Sequence, residues 1–223
     1  MGTHPDGRGP THPSEVLRQA AVFASGVLAI GQNEALRAIV AQAAALLDTP
    51  MAAMSIVDRE RQWFPVAIGL PDETSRDVSF CAYAILTPDQ TFCVPDARAD
   101  ERFARNRLVT GEPWIRFYAG APMIDEGGLP LGALCVLDRE PRAALSEEQR
   151  LALEQLAREA MREIREAQEC RAFGPEAIEH ILVHMREAAR QDDETLLLAL
   201  DRVVQALEKE IELPMPPGWP GQR

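Results

Sequence analysis

The chain predicts an α+β fold: a central antiparallel sheet with flanking helices, extended by a C-terminal helical hairpin. Three observations lead there. Met51 to Asp58 and Arg61 to Gly69 read as two strands separated by a short turn, which is an antiparallel hairpin. Thr91 to Ala97, Trp114 to Ile124 and Leu129 to Asp138 read as three more strands. Apolar residues at helical spacing precede and follow this strand-rich region, so the helices cover the faces of one twisted sheet.

In chain order, Met1 to Pro13 is rich in Pro, Gly and His without periodicity and is expected to be a mobile leader. A first helix is expected from about Ser14 to Ile30, with Val16, Ala20, Phe23 and Val27 in register. Asn33 can cap the next helix, whose apolar face is Leu36, Ile39, Val40, Ala43 and Leu47. Between the strands, Ser79 to Leu86 and Asp100 to Val109 look like short helices. Asp125 to Gly128 supplies the glycines of a tight turn. Ser146 followed by Gln149 is a capping box, and Leu153, Leu156, Ala157, Ala160, Ile164 and Ala167 continue one apolar stripe. Pro175 restarts a helix to about Arg190, and a second from about Asp193 to Ile211 makes a hairpin. The expected organisation is a leader over 1–13, one domain with its terminal helices over 14–172, the hairpin over 173–213 and a disordered tail over 214–223.

A chain of 223 residues, 46% apolar and 26% charged, suits one packed domain with helical extensions. The 35 acidic and 23 basic residues give a formal charge of −12, which repels phosphate backbones and anionic lipids. Nucleic acid and membrane are therefore not expected partners. From Leu145 to Leu213 the chain has 17 acidic and 9 basic residues, so much of that charge lies on the C-terminal helices. No apolar run is long enough to cross a bilayer and the N-terminus has no hydrophobic signal core, so a cytoplasmic protein is expected. Cys81, Cys93, Cys135 and Cys170 form no CxxC pair, as expected of reduced intracellular thiols.

Four segments carry a family likeness: SFCAYAI (79–85), VPDARADERFARN (94–106), WIRFYAGAPM (114–123) and LPLGALCVLD (129–138). In that order and spacing they resemble the GAF family of small-molecule sensing domains, of the bacterial type found beside histidine kinases and diguanylate cyclases. The likeness covers roughly Glu34 to Arg165. It implies a GAF/PAS-like sheet, a ligand cavity between that sheet and the helices of 79–106, and dimerisation through the terminal helices. Related domains take cyclic nucleotides, tetrapyrroles or small metabolites, so the resemblance leaves ligand and cofactor unknown. Two departures bear on the pocket: Tyr83 stands where relatives often carry His, and Arg107 where they often carry Pro.

Under that resemblance the ligand-binding candidates are Ser79, Cys81, Tyr83, Asp96, Arg98, Arg116 and Tyr118, with Phe117 beside them. They offer hydroxyls, aromatic faces and a guanidinium able to grip an anion. Arg116 is the first choice for polar recognition, and its structural alternative is an ion pair with Asp96 or Asp100. Phe117 and Tyr118 alternate along a strand, so only one of them can line the pocket. Trp63, Phe64, Phe92 and Phe103 are expected to pack. Cys93 and Cys135 are expected to be inert, while Cys81, near a helix start, is the candidate reactive thiol or bilin attachment point. His180 and His184 are spaced as a metal pair on one helix face, but without a carboxylate motif they read as surface residues, and no metal site is expected.

The functional expectation is a cytoplasmic, non-enzymatic sensory protein. It would bind an unidentified small molecule and signal through a homodimer or a partner signalling protein. Its rivals are a thiol-dependent reductase of the free methionine sulfoxide reductase type and a purely structural dimerisation module.

Overall fold

The computed structural model describes residues 9–27 and 33–172, with side chains to residue 168. The expected hairpin of 173–213, including His180 and His184, and the tail of 214–223 lie outside the described residues. The described residues up to 168 form one compact unit. Its helices are α1 (Glu15–Ala24), α2 (Glu34–Leu47), α3 (Cys81–Ala84), α4 (Arg107–Thr110) and α5 (Glu147–Ala172). Its strands are β1 (Met51–Val57), β2 (Arg61–Ile68), β3 (Glu73–Ser75), β4 (Phe92–Val94), β5 (Phe117–Ile124) and β6 (Pro130–Asp138).

The six strands form one antiparallel sheet in the order β3-β2-β1-β6-β5-β4. The five expected strands are all in it. The sixth, β3, is a three-residue edge strand of Glu73, Thr74 and Ser75, too short to leave a periodic signal. β5 begins at Phe117 rather than Trp114, because Trp114 has φ of +65° and cannot join a ladder there.

Both faces of the sheet are covered, which is why β1 and β6 are buried at every position. One face packs on α1, α2 and α5 through Ala52, Met54, Ile56, Phe117, Ala119, Leu134 and Val136. The other packs on α3, α4 and their loops through Met51, Ala53, Tyr118, Ala133, Cys135 and Leu137. Phe117 and Tyr118 therefore divide between the faces as alternation requires, and both rings are fully buried.

Asn33 caps α2, its Oδ1 accepting from the Leu36 amide at 3.0 Å. Asn33→Ala is expected to cost about 1 kcal/mol, read as a lower urea midpoint at constant slope. Arg142 closes the other end of α2, donating to the Leu47 and Asp48 carbonyls at 2.6 Å each. The Ser146–Gln149 capping box opens α5 as expected, with reciprocal bonds of 3.0 and 3.2 Å.

Three local expectations change. α1 ends at Ala24, short of Ile30, and Val27 still reaches the core. Only Arg107 to Thr110 of the 100–109 run is helical, because Asn106 caps there and splits the segment, its side chain accepting from the Leu108 amide. Of the expected mobile leader, Gly9 is buried and Pro10 accepts a hydrogen bond from Arg76 at 3.2 Å. A Cβ at Gly9 would lie 2.5 Å from the Arg76 carbonyl oxygen, so only glycine fits this contact.

Candidate functional site

A hollow of about 300 Å³ opens on the α3/α4 face of the sheet. Its floor is Tyr118 of β5 with Cys135 and Leu137 of β6. One wall is the β2–β3 hairpin, through Gln62, Phe64, Leu70, Pro71 and Thr74; the other is α4 and the stretch after it, through Leu108, Pro113 and Ile115. Phe80 closes the inner side. The cavity is on the expected face but not where the resemblance set it, between the sheet and the helices of 79–106. Aromatic rings fill that space: Phe80 stacks on Phe103 at 4.0 Å between centroids and on Tyr118 at 5.2 Å, with Tyr83 and Phe92 around them.

Of the seven candidate residues, Tyr118 borders this hollow. Cys81 lies directly behind it. Its Sγ accepts from the Tyr118 hydroxyl and from Gln62 Nε2, each at 3.1 Å. Ser79 is buried and its Oγ accepts from the Ala82 amide at 3.0 Å, holding the start of α3. Tyr83 is half-buried in the ring cluster, and the Arg102 guanidinium lies over its face at 5.9 Å. Arg116 and Asp96 form a bidentate pair at 2.8 Å for both bonds, away from the hollow. The Arg98 amide donates to Asp96 at 3.0 Å and its side chain is exposed. The structure thus brings Cys81 and Tyr118 together and gathers Asp96, Arg98 and Arg116 into a separate surface cluster, the arrangement the structural alternative for Arg116 described.

Sequence reasoning missed Gln62 as a site residue. It sits in a strand beside Trp63 and Phe64, where one polar residue looks like an outward position. Its position in β2 turns it inward, with 5% exposure, and its amide nitrogen reaches Ser55 Oγ at 2.8 Å as well as Cys81. The signal available was period two over the first half of the strand: Gln62 and Phe64 share one face and are buried, before a register shift turns Val66 to the other face.

The Cys81 thiol feels two opposing effects. Burial pushes its pKa up, and hydrogen bonds from Cys135, Ser55, Tyr118 and Gln62 pull it down, with a net lowering. Cys135 is pushed well above the ordinary thiol range by its hydrogen bond to Cys81 and then by burial. Tyr118 is raised well above the usual phenol range by burial first and the neighbouring Cys81 charge second. Cys81 is therefore the more acidic thiol of the pair. Cys93 is raised by burial on the opposite side of the sheet edge, among residues packed against the helix-side core. Tyr118→Phe removes one donor to Cys81. It is expected to move the ultraviolet thiolate absorbance of Cys81 to higher pH and to cost about 1 kcal/mol of stability.

Gly120 makes the Tyr118 position possible. A Cβ there would stand 2.2 Å from the tyrosine hydroxyl, because the ring lies along the strand over its same-face neighbour. Among the described residues no group of three or more His, Cys, Asp and Glu is placed to hold a metal ion, and no helix is long and apolar enough to cross a membrane.

Comparison with known proteins adds a lineage to this geometry. A cyclic di-GMP phosphodiesterase of Pseudomonas aeruginosa is 49% identical over 157 residues, which is 70% of this chain and 27% of that protein. The chain thus spans about a quarter of the curated relative it matches. That relative is an enzyme, which overturns the expectation of a non-enzymatic sensory protein; a likeness to GAF sequences carries no information on the catalytic activity that accompanies them. Among solved structures, the GAF domain of a Coxiella burnetii phosphoenolpyruvate-protein phosphotransferase superposes with a TM-score of 0.52 at 17% identity, over 71% of this chain and 96% of that one. A far-red cyanobacteriochrome photoreceptor gives 0.50 at 14% identity, over 68% and 97%. These two share the fold. Residues 32–164 match the GAF domain family, and the chain belongs to it.

Proposed function

We propose that this chain takes part in cyclic di-GMP phosphodiesterase activity in the cytoplasm, as the GAF module through which a small molecule controls that activity. The observation that supports this most is the 49% identity with the Pseudomonas aeruginosa phosphodiesterase, together with a hollow lined by side chains of this domain. Control requires the ligand to bind one arrangement of the domain more tightly than another. The cavity and α5 lie on opposite faces of the sheet, so the coupling has to cross or skirt it. One route skirts the sheet edge: Glu154 of α5 accepts from the amide and hydroxyl of Thr91 at 3.3 and 2.9 Å, next to Phe92 of the ring cluster.

The test is made in the native host protein. Leu108→Trp fills the mouth of the cavity from the half-buried α4 side and leaves the sheet intact. Cyclic di-GMP breakdown in cell lysate, followed as linear dinucleotide released, is expected to change by about fivefold or more, the low end of ordinary allosteric couplings. An unchanged rate from a stably expressed variant overturns the reading.

Self-association belongs to the same proposal. Val16, Leu17 and Phe23 are 84, 62 and 82% exposed on α1, and Ala20 and Ala24 beside them are exposed too. Glu15 and Arg18, the charged residues of this helix, are engaged on the sheet side. A charge-free apolar stripe on a chain of net charge −12 is where a second copy approaches with least repulsion. Sedimentation at micromolar concentration is expected to show a dimer that Phe23→Glu converts to monomer. A wild-type monomer removes this part of the proposal.

A further inference from the structure

We propose that the cavity takes a neutral, mostly apolar aromatic molecule of about indole size with a single N–H or O–H donor, rather than a phosphate-bearing nucleotide. This rests on the reading of the cavity as the control site and supplies the chemical class of its ligand.

Three observations carry it. The first is charge. Glu112 and Arg139 are the charged residues bordering the hollow; both are exposed at its rim, and Arg139 Nε is engaged by the Pro113 carbonyl at 3.0 Å. Arg116 and Arg76 are held elsewhere, by Asp96 and Glu15. A phosphate placed inside would lose its water with one cation, Arg139, at the rim, where the Glu112 carboxylate borders the same hollow and opposes an anion.

The second is size. A volume of about 300 Å³ is roughly that of ten water molecules, at the small end of ligand pockets. A bicyclic ring system fits it. A cyclic dinucleotide, with two bases, two sugars and two phosphates, would leave most of its atoms outside the mouth.

The third is one buried acceptor. Gln62 is 5% exposed and borders the cavity. Its amide nitrogen is spent on Ser55 and Cys81, and among the described residues no group donates to its amide oxygen. With the amide nitrogen facing Ser55 and Cys81, the oxygen is the end left for a ligand. The remaining surroundings are mostly aromatic or aliphatic, Phe64, Phe80, Leu137 and the ring of Tyr118 among them, with the Thr74 hydroxyl buried and unpartnered in the hairpin wall. A ligand that stacks against these rings and donates one hydrogen bond to Gln62 Oε1 pairs the open end of that amide.

Calorimetric titration of the purified full chain tests this with indole, 1-methylindole and cyclic di-GMP. Indole is expected to bind, and 1-methylindole roughly tenfold more weakly, because it leaves the buried oxygen of Gln62 without a donor. Gln62→Met is expected to bring the two indoles to equal affinity. Since that change also removes a donor to Cys81, Leu108→Trp and Leu70→Trp serve as independent variants, each expected to abolish binding of both indoles by filling the space. The proposal is overturned by absence of indole binding, by equal wild-type affinity for the two indoles, by indole binding that survives both tryptophan variants, or by competition between cyclic di-GMP and indole. Indole binding with an unaltered rate of cyclic di-GMP breakdown would remove the proposed function and leave this assignment standing.

Discussion

Arg18→Met is expected to destabilise the domain by about 3–5 kcal/mol, the range found when one partner of a buried ionic network is removed. The guanidinium is fully buried between α1 and the sheet. Its Nη2 donates to the Val57 carbonyl at 2.6 Å and to Glu15 at 2.8 Å, while Nη1 donates to the Pro130 and Leu131 carbonyls at 3.4 and 3.3 Å. These carbonyls are at the end of β1 and the start of β6, so one side chain joins α1 to two central strands. Methionine fills the volume but strands three buried acceptors. Urea denaturation should show a lower midpoint with the slope unchanged, and Arg18→Lys, which keeps a charge but not the planar fork, should fall between the two.

The same network has a pH signature. Burial pushes the Glu15 carboxyl up, but hydrogen bonds from Arg18, Arg76 and Gln19 outweigh it and hold the group far below the usual carboxylate range. A folded-state value below the unfolded one adds stability that is complete above the unfolded pKa, near 4.5, and is lost as pH falls toward the folded value. Glu15→Gln should therefore lower stability at neutral pH and flatten its decline under acid. A parallel decline in both proteins would contradict this role for Glu15.

Gly132→Ala is expected to prevent folding or to cost more than about 4 kcal/mol, among the largest effects a single methyl can have. Gly132 is in β6, paired with Ile56 of β1 on one side and Met123 of β5 on the other. An added Cβ would stand 1.8 Å from the Ser55 carbonyl oxygen and 2.9 Å from the Ile56 Cα. Both are backbone atoms of a central strand and cannot move aside as a side chain would. Gly127→Ala, in the β5–β6 turn, is the control. Its Cβ would meet Asp125 Oδ1 at an ordinary 3.4 Å, and a change within about 0.5 kcal/mol is expected. Soluble expression and thermal unfolding of the two variants separate a backbone clash from a general sensitivity of glycines.

Much of the fold could be read from the residues because its signals are local. The capping box at Ser146, the Asn33 cap and the apolar stripes of α2 and α5 each depend on residues three or four apart, and each is present in the structure. Strands β1, β2, β5 and β6 are long enough for their composition to be distinctive. β3 is not, and the 100–109 run could not reveal that Asn106 would cap in its middle. The site was less legible. Tyr118 and Cys81 were candidates through motif likeness, whereas Gln62, Leu70 and Pro113 lie outside the four segments that carry it.

The sequence alone determined the α+β class, the order of the long strands, the family likeness and a net charge of −12, since each follows from composition or from neighbours along the chain. Tertiary structure decided which hollow stays open, which arginines are withdrawn into ion pairs, and that a lone arginine in α1 would be buried against strands 39 and 112 residues away. The physical reason is that burial and hydrogen-bond partnership are properties of places where distant segments meet. Aromatic rings from α3, β4, β5 and the loop after β4 fill the space beneath α3, and the cavity survives beside them, where the β2–β3 hairpin and the stretch after α4 stand apart.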